Sequence, residues 1–409
     1  MKPLSEKHRI SKDLLTQTAF LAALCLFFST LEYLFPRPVP FFRLGLANLP
    51  ILLSFGILPL PYLLLLALLK VLGQGLIHGT LASYVILFSF SGTFLSLFAM
   101  YFARKIPGLS YIGISIIGAM FSNIAQVSLS ILIVFGINAR FIIPYFFTLG
   151  LISGTAMGVF ANWFSSHSKW YKALRNGVSF EPSPIKDSEL KKTGRVKSKD
   201  YIATILHPQN RFFLGLLLLI PLLFQEVLIL KIVHVILLGI LCKLAGKRLS
   251  YFYFFNLIFW ITLFQILSPF GQVLFDLKII TITKGALETG LNKSFLLIGL
   301  VFTSLFSVSP GLHIPGRLGG VLAKMFYFYE ELYNGKRRIK RSTFINDVDN
   351  LLGETQSAAM EDHQKEKEIT TKYGKKKALI FSVSISLLFY FLLVSGFLIT
   401  SWNKLIGIL

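Results

Sequence analysis

The sequence predicts an all-α, polytopic integral membrane protein with about ten to eleven transmembrane helices in two helical domains. Of its 409 residues, 54% are hydrophobic and only 15% charged, more apolar surface than a soluble core can hide. The apolar residues fall in runs long enough to cross a hydrocarbon layer about 30 Å thick. The formal charge of +22 collects between those runs, as expected of loops facing an anionic leaflet, where each basic residue contributes about 1 kcal/mol.

Residues 1–13 carry Lys2, Lys7, Arg9 and Lys12, a basic flank that places the N-terminus in the cytoplasm of a multi-pass inner-membrane protein. The run 14–35 that follows lacks an A-x-A-like cleavage site, so it reads as a retained helix and not a removed signal peptide. Further apolar segments cover 44–58, 62–77, 82–102, 111–135 and 141–164. They make six crossings if the short second one spans, which puts Arg104, Lys105 and the basic stretch from Lys169 inside.

Polar residues interrupt these runs at a few places. Arg43-Leu44-Gly45-Leu46-Ala47-Asn48-Leu49-Pro50 sets an arginine, an asparagine and a helix-breaking proline into otherwise lipid-compatible sequence. A charge at the centre of a spanning helix costs roughly 2.5–3.5 kcal/mol, and short Pro/Gly-interrupted segments are what transporters use to bring polar groups to a buried substrate. The plainer reading is a kinked packing helix whose Asn48 bonds a neighbour. Lys70, Gln74 and His78 recur every fourth residue, either as a polar stripe on one helix face or at the aqueous rim with Lys70 snorkelling. Ser115, Ala119, Ser122, Asn123 and Gln126 form a small, polar stripe; Asn123 and Gln126 serve there as interhelical glue or as ligand contacts. Glu32, near Arg37 and Arg43, reads as a rim ion pair or a gating pair.

At these residues the chain resembles a known family. Glu32, the L-G-L-A-N of residues 44–48 preceded by Arg43, Lys70 before its glycines, the S-x-S-G-x-x-x-S of residues 89–96 and the stripe 115–126 are similar to the Gx transporter family, also labelled heptaprenyl diphosphate synthase component I. Where that family usually has His-Asn, this chain has Ser122-Asn123. The resemblance, over about residues 14–164, implies a six-helix unit similar to the substrate-binding S components of energy-coupling-factor (ECF) transporters. In that reading Arg43, Asn48, Lys70, Asn123 and Gln126 converge on one cavity with Glu32 at its mouth. The two cations would supply charge and the amides oriented hydrogen bonds to a small anionic or polar solute.

Residues 165–210 are rich in Lys and Arg, with Pro182, Pro184 and Gly194 interspersed, and read as a cytoplasmic linker that is at least partly disordered. With few aromatics interleaved after Tyr171, this run does not point to nucleic acid. Apolar segments resume at 212–224, 227–241, 251–267 and 294–308, and an internal Glu226–Lys231 pair is expected in the first hairpin. Leu318, Val321, Leu322, Met325, Tyr329 and Leu332 follow helical spacing, giving an amphipathic helix able to lie against the membrane or a partner. Together with Thr281–Leu291, Ser304–Gly311 and the Pro315-Gly316-Arg317 turn, this arrangement resembles the T component of ECF transporters, whose cytoplasmic helices couple to a pair of ATPases. The resemblance, over about residues 207–345, implies ATPase subunits as partners. Arg337, Arg338, Lys340 and Arg341 stand where T components carry Ala-Arg motifs. The same basic run also suits anionic lipid. The domain from 211 to 342 is followed by a polar cytoplasmic segment, 343–377, and a last transmembrane helix, 378–409.

Absent motifs narrow the chemistry. No G-x-x-x-x-G-K-[ST] loop occurs in the chain, so ATP hydrolysis by the P-loop route would need separate subunits. No D-D-x-x-D pair occurs either; Asn346-Asp347-Val348-Asp349-Asn350 is the nearest approach, so Mg²⁺-diphosphate chemistry has no carboxylate cluster to use. Cys25 and Cys242 sit in apolar runs as packing residues. The sequence therefore calls for no catalytic residue, no cofactor and no metal, and for a bilayer, a small-molecule substrate and protein subunits as partners.

Overall fold

The computed structural model describes residues 4–32, 45–78, 80–81, 83–136, 143–178, 180, 200–247, 249, 251–267, 269–276, 281–308, 316–335, 344–361 and 375–406. Arg43 and the basic residues 337, 338, 340 and 341 lie outside them. The described chain is almost wholly helical. Among these residues seven helices are long and apolar enough to cross a membrane, and the protein is a multi-pass membrane protein. Five of the seven belong to the first half: α1 (Leu4–Glu32), α3 (Leu60–Ile77), α4 (Tyr84–Ala103), α5 (Tyr111–Ser130) and α6 (Ile143–His167).

The second predicted crossing, 44–58, is not a spanning helix. It is a 3-10 turn, Leu46–Asn48, followed by a six-residue helix α2 (Leu49–Ser54) in which every residue is buried. At 1.5 Å per residue α2 rises about 9 Å, far short of a bilayer. Gly45, at φ 87°, takes the left-handed conformation that opens this turn, and Pro50 occupies the first turn of α2, where its missing N–H is not needed. The break in the helix therefore precedes the proline.

Serine caps set the starts of α4 and α5: Ser83 accepts from the Val85 amide at 3.3 Å and Ser110 from that of Gly113 at 3.4 Å. In the second half α8 (Pro208–Phe224), α9 (Leu228–Leu244) and α10 (Tyr251–Ile266) have 17, 17 and 16 residues. Each is some 25 Å long, slightly under the hydrocarbon thickness. A short antiparallel hairpin, β1 (Val273–Asp276) and β2 (Thr281–Thr283), leads into α11 (Lys284–Ser307). Lys231 of α9 donates to Asn292 of α11 at 3.0 Å, while Glu226 is exposed.

The predicted linker is ordered at its ends. Directly after α6, α7 (Lys169–Asn176) buries Trp170, Tyr171 and Leu174. Residues 200–206 pack beside α8 and α9, where the Tyr201 amide bonds the Leu244 carbonyl at 3.0 Å. The amphipathic helix α12 (Arg317–Gly335) does not spend its apolar stripe on a membrane face. Leu322, Met325, Phe328 and Leu332 are buried in the core of the first half, and Tyr329 meets Thr30 of α1, hydroxyl to hydroxyl, at 2.9 Å. In return, Tyr84, Val85, Phe88 and Phe146 join the core of the second half.

The polar segment after α12 contains another helix, α13 (Phe344–Glu361). Asp349, buried, accepts from the Ser168 hydroxyl at 2.5 Å and the Lys169 amide at 2.7 Å, so a carboxylate caps the N-terminus of α7. Trp170 Nε1 donates to Gln356 at 2.9 Å. Charge-assisted hydrogen bonds contribute about 1.5–3 kcal/mol each. Asp349→Ala should therefore release α13, speeding amide hydrogen exchange over 344–361 and 169–176 while leaving the membrane helices protected. The last helix, α14 (Lys375–Ile406), has most of its surface exposed.

Candidate functional site

The broken segment 45–54 passes between α1, α3, α5 and α6 and brings Asn48 to Lys70. The Lys70 side chain is 4% exposed at mid-length on α3. Its ammonium donates to Asn48 Oδ1 and, at 2.9 Å, to Thr93 Oγ1 on α4. One turn further along the same face, Gln74 Oε1 accepts from Ser89 at 3.1 Å, and at the helix end the His78 ring lies 3.5 Å from the Ser29 hydroxyl of α1. The i, i+4 stripe on α3 is thus turned inward and held by α1, α4 and the 3-10 turn that carries Asn48.

Glu32, at the end of α1, accepts from the Gly45 amide at 3.1 Å. It fixes the turn from which the broken segment starts. Asn123 on α5 donates to the Phe146 carbonyl of α6 at 2.6 Å, and Gln126 donates to Ser122 at 3.1 Å. The other amide atom, Gln126 Oε1, is buried with no hydrogen-bond partner among the described residues. An orphaned acceptor at this depth costs about 1–3 kcal/mol.

Between α2, α4, α5 and α6 lies a cavity of about 30 Å³, room for roughly two waters. Asn48, Asn123 and the hydroxyls of Ser96, Ser115, Ser122 and Ser153 line it, with Met100 and Met157 as apolar wall. Lys70 stands behind Asn48, outside the lining. The structure therefore brings Asn48 and Asn123 to one cavity, joins Lys70 to it through Asn48, sets Glu32 on the Gly45 turn that borders it, and places Gln126 one helical turn from its wall. No group of three or more His, Cys, Asp or Glu that could hold a metal occurs among the described residues. The cavity wall can donate and accept neutral hydrogen bonds, and a solute larger than water requires the helices to part.

Sequence reasoning missed the contribution of α6. A Cβ on Gly150 would lie 2.1 Å from Asn123 Nδ2, and one on Gly158 would lie 2.4 Å from Ile112 Cα. The Gly150-x-x-x-Gly154-x-x-x-Gly158 repeat was the available signal: it lets α6 approach α5 closely, and it carries Ser153 and Met157 to the cavity.

A partly buried lysine lines another groove. Between α4 and α11, an apolar groove of about 410 Å³ is lined by Leu87, Ile133, Leu296 and Leu300, with Lys293 and Ser83 as polar members.

Residues 21–164 match the family described as heptaprenyl diphosphate synthase component I, and residues 207–309 match a domain of unknown function. The likeness to T components has no counterpart in these matches. No curated protein and no solved structure matches the chain.

Proposed function

We propose that the protein is a transport component of the cytoplasmic (inner) membrane with its N-terminus inside. Residues 14–164 bind a small polar or anionic solute, and residues 211–342 couple that half to separate ATPase subunits. The observation that carries this reading is that α3 is shared between site and coupling element. Its Lys70 face reaches Asn48 and Thr93, while its Gly73 face meets Met325 of α12, whose Cε lies 2.7 Å from where a Cβ would be. A shift of α3 on solute entry would be passed to α12 through this packed contact. Arg337, Arg338, Lys340 and Arg341 follow α12 in sequence and offer charge to acidic grooves on the ATPases, an association that salt weakens.

A second reading takes its support from the family description and from the groove beside Lys293. In it the chain is a non-catalytic membrane partner of a prenyl diphosphate synthase, and an apolar groove with one ammonium suits an amphiphile bearing phosphate.

Copurification with the tagged, full-length chain separates the two. P-loop ATPases recovered in a salt-sensitive complex that Arg337→Glu with Arg338→Glu abolishes support transport. A soluble synthase with D-D-x-x-D motifs supports the second reading. Recovery of neither removes both.

A further inference from the structure

A third cavity, sharing no lining residue with the other two, lies between α8 and α14. Both helices begin at the same end of the bundle, and the cleft follows them in parallel from His207 to Leu217 and from Ala378 to Leu387. Ten residues at 1.5 Å make it about 15 Å deep, and its volume is about 730 Å³. The deep walls are apolar, with Phe213, Leu217, Val383 and Leu387 among them, while Ser382 and Ser386 supply hydroxyls along one side.

The mouth is polar and electropositive. His207 and Asn210 line it and Lys377, exposed, stands beside it one residue before Ala378. The N-termini of two long helices, 17 and 32 residues, open there, and neither carries an acidic residue in its first turn. Two helix dipoles and a lysine favour an anion at this level.

The mostly apolar walls suit flexible hydrocarbon chains. We propose that this cleft is a binding site for one acidic phospholipid, its phosphate at His207, Asn210 and Lys377 and its acyl chains between α8 and α14. The occupant comes from the bilayer, because the walls are continuous with the lipid-facing surface of α14, where Leu379, Leu387 and Phe391 are all more than 60% exposed.

Native mass spectrometry of the full-length protein, extracted from nanodiscs holding equal phosphatidylglycerol and phosphatidylethanolamine, tests this. One retained phosphatidylglycerol is expected, favoured over phosphatidylethanolamine by about five-fold for each cation engaged. Lys377→Glu should bring that ratio close to one, and Ser386→Trp, which fills the cleft, should lower the number of retained lipids by one. Equal retention of the two lipids by the wild-type protein overturns the proposal without need of any variant. Undiminished retention in a monodisperse Ser386→Trp protein overturns it as well.

Discussion

Lys70→Met should abolish solute uptake while the protein remains inserted and melts within a few degrees of wild type. Lys70 holds Asn48 and Thr93, two neutral oxygen-bearing side chains, in the middle of an apolar bundle. Burying a cation is expensive, and methionine, of similar length, removes that cost while leaving Asn48 and Thr93 each short of a donor. The cost of leaving those two acceptors unmet, about 1–3 kcal/mol each, is offset by the removed desolvation. What methionine cannot do is orient Asn48, the amide that the broken segment delivers to the cavity. Parallel measurement of uptake and thermal melting checks this. Retained uptake would place Lys70 outside the working site, and a collapse in melting temperature would make it a structural strut.

Much of this site was legible in the sequence because membranes make polar residues conspicuous. Asn48, Lys70 and Asn123 stand out in apolar runs, and the fourfold spacing of Lys70, Gln74 and His78 marks one face of a helix whatever it packs against. What was not legible depends on which surfaces meet. Periodicity made α12 amphipathic but could not say that its stripe would be buried on α1 and α3 instead of at a lipid surface, because Leu322 and Met325 suit either. Hydropathy counted 44–58 as a crossing, since Leu49 to Leu53 are as apolar as any span. The left-handed Gly45 and the six-residue limit of α2 come from packing that hydropathy does not see. The polar sequence of 344–361 reads as solvated until Asp349 is set against the start of α7, a contact across 180 residues.

Arg211→Met should have the opposite outcome to Lys70→Met, a large loss of stability. Arg211, 1% exposed, pairs with Asp200 at 2.8 Å and donates to the Phe306 carbonyl. Lys247 donates to the Val308 carbonyl at 2.7 Å, and the Cys242 thiol to that of Phe302 at 3.0 Å. Arg211 and Lys247 thus satisfy carbonyls at the end of α11, where the helix has no amides left to offer and where positive charge is favoured. Methionine removes the buried cation and leaves the partly exposed Asp200 and the Phe306 carbonyl without their donor, so the expected loss is about 3 kcal/mol, several degrees in melting temperature. A pH titration adds an independent check. Burial, and then the neighbouring Arg211, hold the Lys247 ammonium below the ordinary lysine value of 10.5. For a base whose pKa falls on folding, the unfolded chain binds the extra proton between the two values. Stability therefore rises with pH across the window below 10.5 and is lost as pH falls back through the folded value. Removing Arg211 takes away one of the two causes and frees Asp200 to draw the proton toward Lys247, so the slope in that window should flatten. A melting temperature unchanged by Arg211→Met, or a slope that steepens, would show that the end of α11 is held by other contacts.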